Sequence, residues 1–234
     1  MAVSDATVEG GLEDDQHHFT VVVGHDGRVV ESVASRSVRA PWSTCPDAAQ
    51  ELQALVGMPL SVRCTAVSDW TPSRQHCTHQ LDLVALAIAH AARVVAGGAE
   101  WRQYDAEIPF GLLDGEEKVV TLARDGEPQL RWTVQGTTIV APAPFAGAPR
   151  GFARWAETAL SPDDAEAAVV LKRACAIGMS RGIDLDSYPT LADMPGLSPV
   201  CYSMQPQRAP VAFRNRGLIR DFDDHADDML APGP

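Results

Sequence analysis

The chain has 234 residues, of which 45% are hydrophobic and 21% are charged, and its formal net charge at pH 7 is -12. This length and composition predict a globular protein with a substantial core, in one domain or two small lobes. The acidic balance argues against nucleic acid and anionic membrane as partners, because their phosphates repel an acidic surface.

The sequence predicts a cytoplasmic protein of bacterial type with flexible, acidic ends. Residues 1–16 are polar and acidic and lack the basic and apolar regions of a secretion signal. Residues 221–234 are rich in aspartate and are also predicted to be flexible. The longest apolar stretch, residues 81–98, is interrupted by Asp82, His90 and Arg93, so it predicts a buried helix and no membrane span. Five cysteines without paired spacing favour free thiols in a reducing compartment.

The first half of the chain alternates between strand and helix patterns. The predicted elements are strands over 19–23 and 28–33, a helix over 46–56, a strand over 60–67 and a helix over 78–95. The Asp26-Gly27 pair favours a hairpin turn between the first two strands and places His25 in a solvated loop. Cys45 takes the cap position of the first helix because Pro46 suits the first helical residue.

The second half predicts an antiparallel meander followed by helix. Its elements are strands over 119–123, 129–134 and 137–140, a proline-rich connection over 141–149 and a helix from Ser161 to about Met179. We therefore expect an α+β fold, with a core over 17–140 and a helical, partly irregular C-terminal part over 141–220 of the same domain. Cys175 lies on the apolar stripe of its helix and is predicted to be a buried, structural thiol, and Cys64 is predicted to be a core residue.

The most reactive pattern is Cys77-Thr78-His79-x-x-Asp82, at the start of the 78–95 helix. An exposed thiol at a helix start feels the positive end of the helix dipole and ionises more readily. In this interpretation Cys77 is a nucleophile or acid/base, His79 transfers protons and Asp82 orients His79. Cys45, at the other helix start, is a second thiol lining the same pocket.

Two other interpretations of these residues remain open. In the first, Cys45, Cys77 and His79 hold zinc or iron, with Cys201, His76 or His90 completing the site. In the second, Cys77 is a buried small residue, Thr78 caps the helix, His79 makes a structural hydrogen bond, and the protein is a partner-binding module.

Three further side chains are candidates for substrate binding. Trp42 offers an aromatic platform, with packing as the alternative role. Arg208 and Arg214 offer guanidinium groups that match a carboxylate or phosphate, with pairing to nearby aspartates as the alternative.

Three segments together resemble one protein family. They are Pro41-Trp42-x-x-Cys45, Leu55-Val56-Gly57-Met58-Pro59-Leu60 and Cys77-Thr78-His79-x-x-Asp82-Leu83. The combination resembles the bacterial domain-of-unknown-function family numbered 2889, whose hallmark looks like Cys-Thr-His-Leu followed by an acidic residue and Leu. Gln80 stands where that first Leu is usual. The resemblance is clearest over residues 39–96, and it implies membership without implying a reaction.

The sequence thus predicts a cytoplasmic enzyme that acts on a small organic catabolic intermediate, such as a carboxylate or an acyl compound. Hydrolase, lyase and isomerase chemistry all fit cysteine and histidine side chains used in this way. A nucleotide cofactor is not expected, because the sequence contains neither Gly-x-Gly-x-x-Gly nor Gly-Lys-Ser/Thr. The alternative is a zinc- or iron-binding protein, either a metalloenzyme or an assembly factor.

Overall fold

A computed structural model describes residues 6–149 and 151–230 of the chain. The chain forms two compact units, the first made of Met1–Gly98 with Asp184–Pro234 and the second of Ala99–Ile183. This division differs from the predicted boundary at residue 140. The reason is that the strands before residue 140 and the helices after it share one hydrophobic core.

The first unit contains a three-stranded antiparallel sheet in the order β1-β2-β3. Its strands are β1 (Ala6–Glu13), β2 (His18–His25) and β3 (Val30–Arg39). Alternate residues of β2, namely Phe19, Val21 and Val23, are buried on one face of the sheet.

Three predictions about this part of the chain have clear outcomes. The hairpin at Asp26-Gly27 is confirmed, since the Asp26 carboxylate accepts the amides of Arg28 and Val29 at 2.8 Å, and Gly27 has a φ of +85°. The solvated position of His25 is wrong, because this residue is the buried end of β2. The flexible N-terminal end is also wrong over residues 6–13, which pair with β2, and residues 1–5 lie outside the described part.

Four helical segments follow in the first unit. They are a 3₁₀ helix over Pro46–Leu55, the short α1 (Val67–Trp70), a 3₁₀ turn at Ser73–Gln75 and α2 (Thr78–Val95). The predicted bounds of α2 are confirmed, and its buried face, which includes Leu81, Val84 and Ile88, packs against β1 and β2. The strand predicted over 60–67 is wrong, because local turn hydrogen bonds replace sheet pairing there, as from Ala66 N–H to Arg63 O at 3.1 Å.

The C-terminal part of the first unit consists of short 3₁₀ turns. They lie at Leu185–Ser187, Leu191–Asp193, Ala209–Val211 and Ala226–Asp228. In the segment 221–234, which the sequence predicts to be flexible, Leu230 donates its N–H to the Glu13 carboxylate at 2.6 Å. The Leu230 side chain lies 3.0 Å from where a Cβ on Gly11 would stand, so a side chain at Gly11 would require Leu230 to shift slightly. Residues 231–234 lie outside the described part.

The second unit contains a four-stranded antiparallel sheet in the order β4-β5-β6-β7. Its elements are β4 (Tyr104–Glu107), β5 (Glu117–Arg124), β6 (Glu127–Gln135), β7 (Thr138–Ala141), α3 (Phe152–Ala159), α4 (Pro162–Gly178) and a 3₁₀ turn at Met179–Gly182. The Ser161 cap of α4 is confirmed by its 3.2 Å bond from Asp164 N–H. Cys175 is buried as predicted. Among the described helices of the chain, none has the length and hydropathy needed to cross a membrane.

A buried carboxylate joins β4 to α4. Glu166 is 2% exposed and accepts the Tyr104 hydroxyl at 2.9 Å and an N–H of Arg102 at 3.2 Å. Arg102 also donates to Asp163 at 2.9 and 3.3 Å. Burial and the neighbouring Glu166 charge raise the pKa of Tyr104, so this hydroxyl stays protonated and remains a donor. The buried negative charge of Glu166 is therefore stabilised by two fixed donors, Arg102 and Tyr104.

We expect Tyr104→Phe to destabilise the protein by about 2 kcal/mol, because it removes one donor from a buried carboxylate. Urea unfolding followed by circular dichroism measures this loss. Thr121→Val is the matched control, since it removes a hydroxyl–carboxylate bond of 2.9 Å to Glu107 that is exposed to solvent; we expect it to cost less than about 0.5 kcal/mol. Equal losses of stability in the two variants would show that the burial of Glu166 does not increase the contribution of its hydrogen bond.

Candidate functional site

The turn between β1 and β2 holds Asp14 in a fixed orientation. The Asp14 N–H donates to the His17 carbonyl at 2.9 Å, which closes the turn. One carboxylate oxygen, Oδ1, accepts the backbone N–H of Gln16 and that of His17, both at 2.8 Å. The other oxygen, Oδ2, faces the side chains of His17 and His79.

Two histidines meet at this carboxylate. His17 Nδ1 lies 2.9 Å from Asp14 Oδ1 and 3.1 Å from Oδ2, and His79 Nε2, from the first turn of α2, lies 3.6 Å from Oδ2. The two imidazole rings are stacked with their centroids 3.7 Å apart and their planes 25° apart. Strand pairing and the packing of α2 on the sheet thus bring together residues that are 62 positions apart.

The carboxylate in this cluster stays ionised. Burial alone would raise the pKa of Asp14, but the charge and hydrogen bond of His17, the charge of His79 and the amide of Gln16 outweigh it. The pKa of Asp14 is therefore held well below its ordinary value of 3.8. An anionic oxygen between two imidazoles is an environment that favours a cation.

The three side chains offer donor atoms that lie close enough together to hold one metal ion. One atom from each of Asp14, His17 and His79 lies within 4.8 Å of the other two. A zinc or iron ion with bonds of about 2.1 Å holds neighbouring ligand atoms roughly 3.0–3.4 Å apart. The separations of Asp14 Oδ2 from His17 Nδ1, 3.1 Å, and from His79 Nε2, 3.6 Å, are close to that range. Within residues 6–149 and 151–230, no group of three or more such ligands forms around the thiols.

Cys45 and Cys77 both stand at helix starts, as predicted, but neither is exposed. Cys77 is 6% exposed and Cys45 is 7% exposed. Burial raises the pKa of the Cys77 thiol strongly, and the amides of Gln80 and His79 at the helix start lower it by a smaller amount. Burial also raises the pKa of Cys45, to about 11. The expected ease of ionisation is therefore wrong, because loss of solvation exceeds the effect of the helix start.

The structure does bring the two helix starts together. Gln80 is fully buried, and its side-chain amide donates to the Cys45 carbonyl at 2.9 Å. Ionisation of Cys45 or Cys201 would raise the pKa of Cys77, so the three thiols share one neighbourhood. Ser203 donates its hydroxyl to the Cys45 sulfur at 3.7 Å. The shared region is thus a polar part of the core.

The other predicted site residues have structural partners. Trp42 is buried, with the Arg214 guanidinium 5.8 Å from its ring. Arg214 donates to Asp186 at 2.7 Å and to the Pro41 carbonyl at 3.1 Å. Arg208 lies 3.6 Å from the ring centroid of Tyr202 and 3.7 Å from Glu51. Asp82 is three residues beyond His79 on α2, and His79 Nε2 lies 3.6 Å from the Asp14 carboxylate.

Of the three residues in the cluster, His79 was predicted from the sequence as a site residue, and Asp14 and His17 were not. These two residues belong to the run Glu13-Asp14-Asp15-Gln16-His17-His18, where acidity pointed to a flexible end. The available signal was the pair of histidines directly after the acidic run, since carboxylate and imidazole are the common ligands of zinc and iron.

A protein-family model described as "Protein of unknown function (DUF2889)" matches residues 6–93. The matched segment comprises 88 of the 234 residues of the chain. The match confirms the resemblance inferred from the sequence and extends it to β1, so that Asp14, His17 and His79 all lie within the matched segment. Neither the curated proteins nor the solved structures contain a match to the chain.

The buried thiols are expected to react slowly in the native protein. The pKa of about 11 for Cys45 lies two units above its ordinary value of 9.0, which reduces the thiolate fraction at neutral pH by about 100-fold. Alkylation with iodoacetamide at pH 7.5, followed by peptide mass spectrometry, measures this for Cys45 and Cys77. The unfolded protein, with all five cysteines free, is the reference. Rapid native labelling of Cys77 would contradict the buried position.

His76 makes the stability of the protein depend on pH. It is 1% exposed, and its Nε2 lies 2.9 Å from the Thr71 hydroxyl. Burial lowers its pKa from the ordinary value of 6.5, although the charge of Glu51 opposes this. On acidification, the His76 imidazole therefore binds a proton near pH 6.5 in the unfolded chain but only at a lower pH in the native protein. The free energy of unfolding should fall as the pH drops below 6.5.

We expect His76→Gln to reduce that fall between pH 7 and pH 5. Urea unfolding across this range measures the slope for both proteins. His225→Gln, at an exposed position, is the matched control and should leave the slope unchanged. A slope that is the same in His76→Gln as in the natural protein would assign the pH dependence to other groups.

Proposed function

We propose that the protein is a metal-dependent enzyme in which Asp14, His17 and His79 bind one zinc or iron(II) ion and a small organic molecule is the substrate. The observation that carries this proposal is the meeting of two imidazoles and one ionised carboxylate with their donor atoms within 4.8 Å. The proposal keeps His79 from the sequence analysis and replaces Cys45 and Cys77 by Asp14 and His17.

The donor set supports a catalytic ion more than a structural one. Two histidines and one carboxylate leave coordination positions open, as in zinc hydrolases and non-haem iron enzymes, whereas structural zinc sites have four protein ligands. Zinc with an open position lowers the pKa of bound water and polarises oxygen atoms of a substrate. Hydrolysis, elimination and isomerisation are the reaction types that such an ion serves.

The burial of the cluster supports specific binding. The side chains of His17, His79 and Asp14 are 12%, 11% and 26% exposed, and the His79 Nε2 atom itself is buried, so the cluster is partly shielded from solvent. A partly desolvated carboxylate attracts a cation more strongly than a surface carboxylate does. The net charge of -12 adds a long-range attraction for cations and disfavours polyanionic substrates.

A metal-free alternative is supported by one hydrogen bond. His17 Nδ1 lies 2.9 Å from Asp14, the arrangement in which a carboxylate orients an imidazole and leaves Nε2 free to exchange a proton with a substrate. In this second candidate Asp14 takes the orienting role that the sequence assigned to Asp82, and His17 takes the proton-transfer role assigned to His79.

Metal binding distinguishes the two candidates. We expect the chelator-treated protein to bind one equivalent of Zn²⁺ or Co²⁺, with Co²⁺ giving a visible absorption band that reports nitrogen ligands. His17→Asn and His79→Asn should each weaken binding by at least 10-fold, because each removes one of three protein ligands. Isothermal titration and the Co²⁺ spectrum provide the two measurements.

His90→Asn is the matched control, since His90 lies on the same helix as His79 and outside the cluster. It should leave both the stoichiometry and the spectrum unchanged. If the natural protein binds neither ion, the metal proposal is wrong, and an NMR titration of the His17 imidazole in the natural protein and in Asp14→Asn then tests the metal-free candidate.

A further inference from the structure

Arg39 contacts the turn that carries Asp14 and His17 at several points. Its Nη1 donates to the Asp15 carbonyl at 2.6 Å, and its Nη2 donates to the carbonyls of Asp14 at 2.5 Å and His17 at 3.2 Å. Nη2 also lies 3.1 Å from Glu13 Oε1. One side chain therefore holds three of the four residues in the 14–17 turn and the end of β1.

The Arg39 contacts are shielded from water. The side chains of Arg39 and Glu13 are both 6% exposed. A buried guanidinium needs its donors satisfied, and here backbone carbonyls and a carboxylate accept them. These acceptors therefore fasten the backbone of the turn to one buried guanidinium group.

The C-terminal segment supports the same turn from another part of the chain. Arg39 Nη1 donates to the Leu218 carbonyl at 3.1 Å, and the N–H of Arg220 donates to the Asp15 carbonyl at 2.8 Å. The Arg39 guanidinium also lies 6.0 Å from the centroid of the Phe222 ring. Arg39 thus joins β3, the 14–17 turn and the C-terminal segment.

We infer that Arg39 is a positioning residue for the cluster of Asp14, His17 and His79, an inference that rests on the function proposed above. Asp14 and His17 lie on a short turn, while His79 lies on α2, so the position of the turn sets the distances between the donor atoms. Residues that orient metal ligands from outside the coordination sphere typically change metal affinity by 10- to 100-fold when replaced.

Lysine cannot replace this arginine, because its single ammonium group lacks the planar fork that reaches several carbonyls at once. Arg39→Lys preserves the positive charge, so the electrostatic potential at the metal ion changes little. A loss of metal affinity in Arg39→Lys would therefore result from a changed position of the 14–17 turn and not from a changed charge. Arg36→Lys is the matched control, because Arg36 lies on the same strand and is exposed.

The experiment measures Co²⁺ affinity and the Co²⁺ absorption spectrum of the full chain. We expect Arg39→Lys to weaken binding by about 10- to 100-fold and to alter the spectrum, with Arg36→Lys unchanged on both counts. Arg39→Gln, which retains a planar donor group without the charge, is a second variant in case the lysine variant does not fold. Circular dichroism identifies the folded variants. Unchanged affinity and spectrum in a folded Arg39 variant would overturn the inference.

A second measurement tests the positioning role of Arg39 independently of metal binding. In the metal-free protein, the ¹⁵N signals of the His17 imidazole report its contact with Asp14. We expect Arg39→Lys to shift these signals and Arg36→Lys to leave them in place. If the natural protein binds no metal, the proposed function fails, while a shifted His17 signal still supports positioning by Arg39 and an unshifted one overturns it.

Discussion

The contact of the β1–β2 turn with the start of α2 is the interaction on which the candidate site depends. The packing of α2 on the sheet brings it about, because Leu81, Val84 and Ile88 bury an apolar stripe against strands whose inner face is also apolar. Close approach is possible because Gly10 has no side chain, and a Cβ there would lie 3.3 Å from Leu83. The polar cluster is therefore a consequence of apolar packing, and its distances are as well defined as the helix–sheet contact.

Much of this fold follows from sequence patterns, and the site follows only in part. The bounds of α2 and the cap of α4 were predictable because apolar periodicity and capping residues are local signals. His79 was a candidate because it belongs to the pattern Cys77-Thr78-His79-x-x-Asp82 at that predicted helix start. Asp14 and His17 were not, since their meeting with His79 depends on β1 pairing with β2, and composition alone assigned β1 to a flexible end. Val8, Gly10 and Leu12 alternate with polar residues, which is the pattern of a half-buried strand hidden within an acidic segment.

The two helix-start cysteines show how magnitudes decide between opposing effects. A helix start stabilises a nearby negative charge by about 0.3–1 kcal/mol, which is less than one pKa unit. Full burial raises the pKa of an acidic group by up to about 3–5 units. For Cys77 the amides of His79 and Gln80 lower the pKa and burial raises it, and the net direction is upward. A helix start therefore activates a thiol only where solvent also reaches it. Sequence patterns predict the helix start but not the solvent exposure of the thiol.

The same comparison explains why Asp14 behaves in the opposite way. Burial raises its pKa too, but two imidazoles and a backbone amide lie against the carboxylate, and together they lower the pKa by more than burial raises it. Under the proposed function, this negative charge would attract a metal ion to the two imidazole nitrogen atoms. Protons and metal compete for the same nitrogen atoms, so metal binding releases protons and weakens in acid. Because Arg39 is already neutralised by Glu13, its positive charge adds little repulsion toward the incoming ion. In the proposed site, the charge of Arg39 thus holds the turn, and the separate charge of Asp14 attracts the cation.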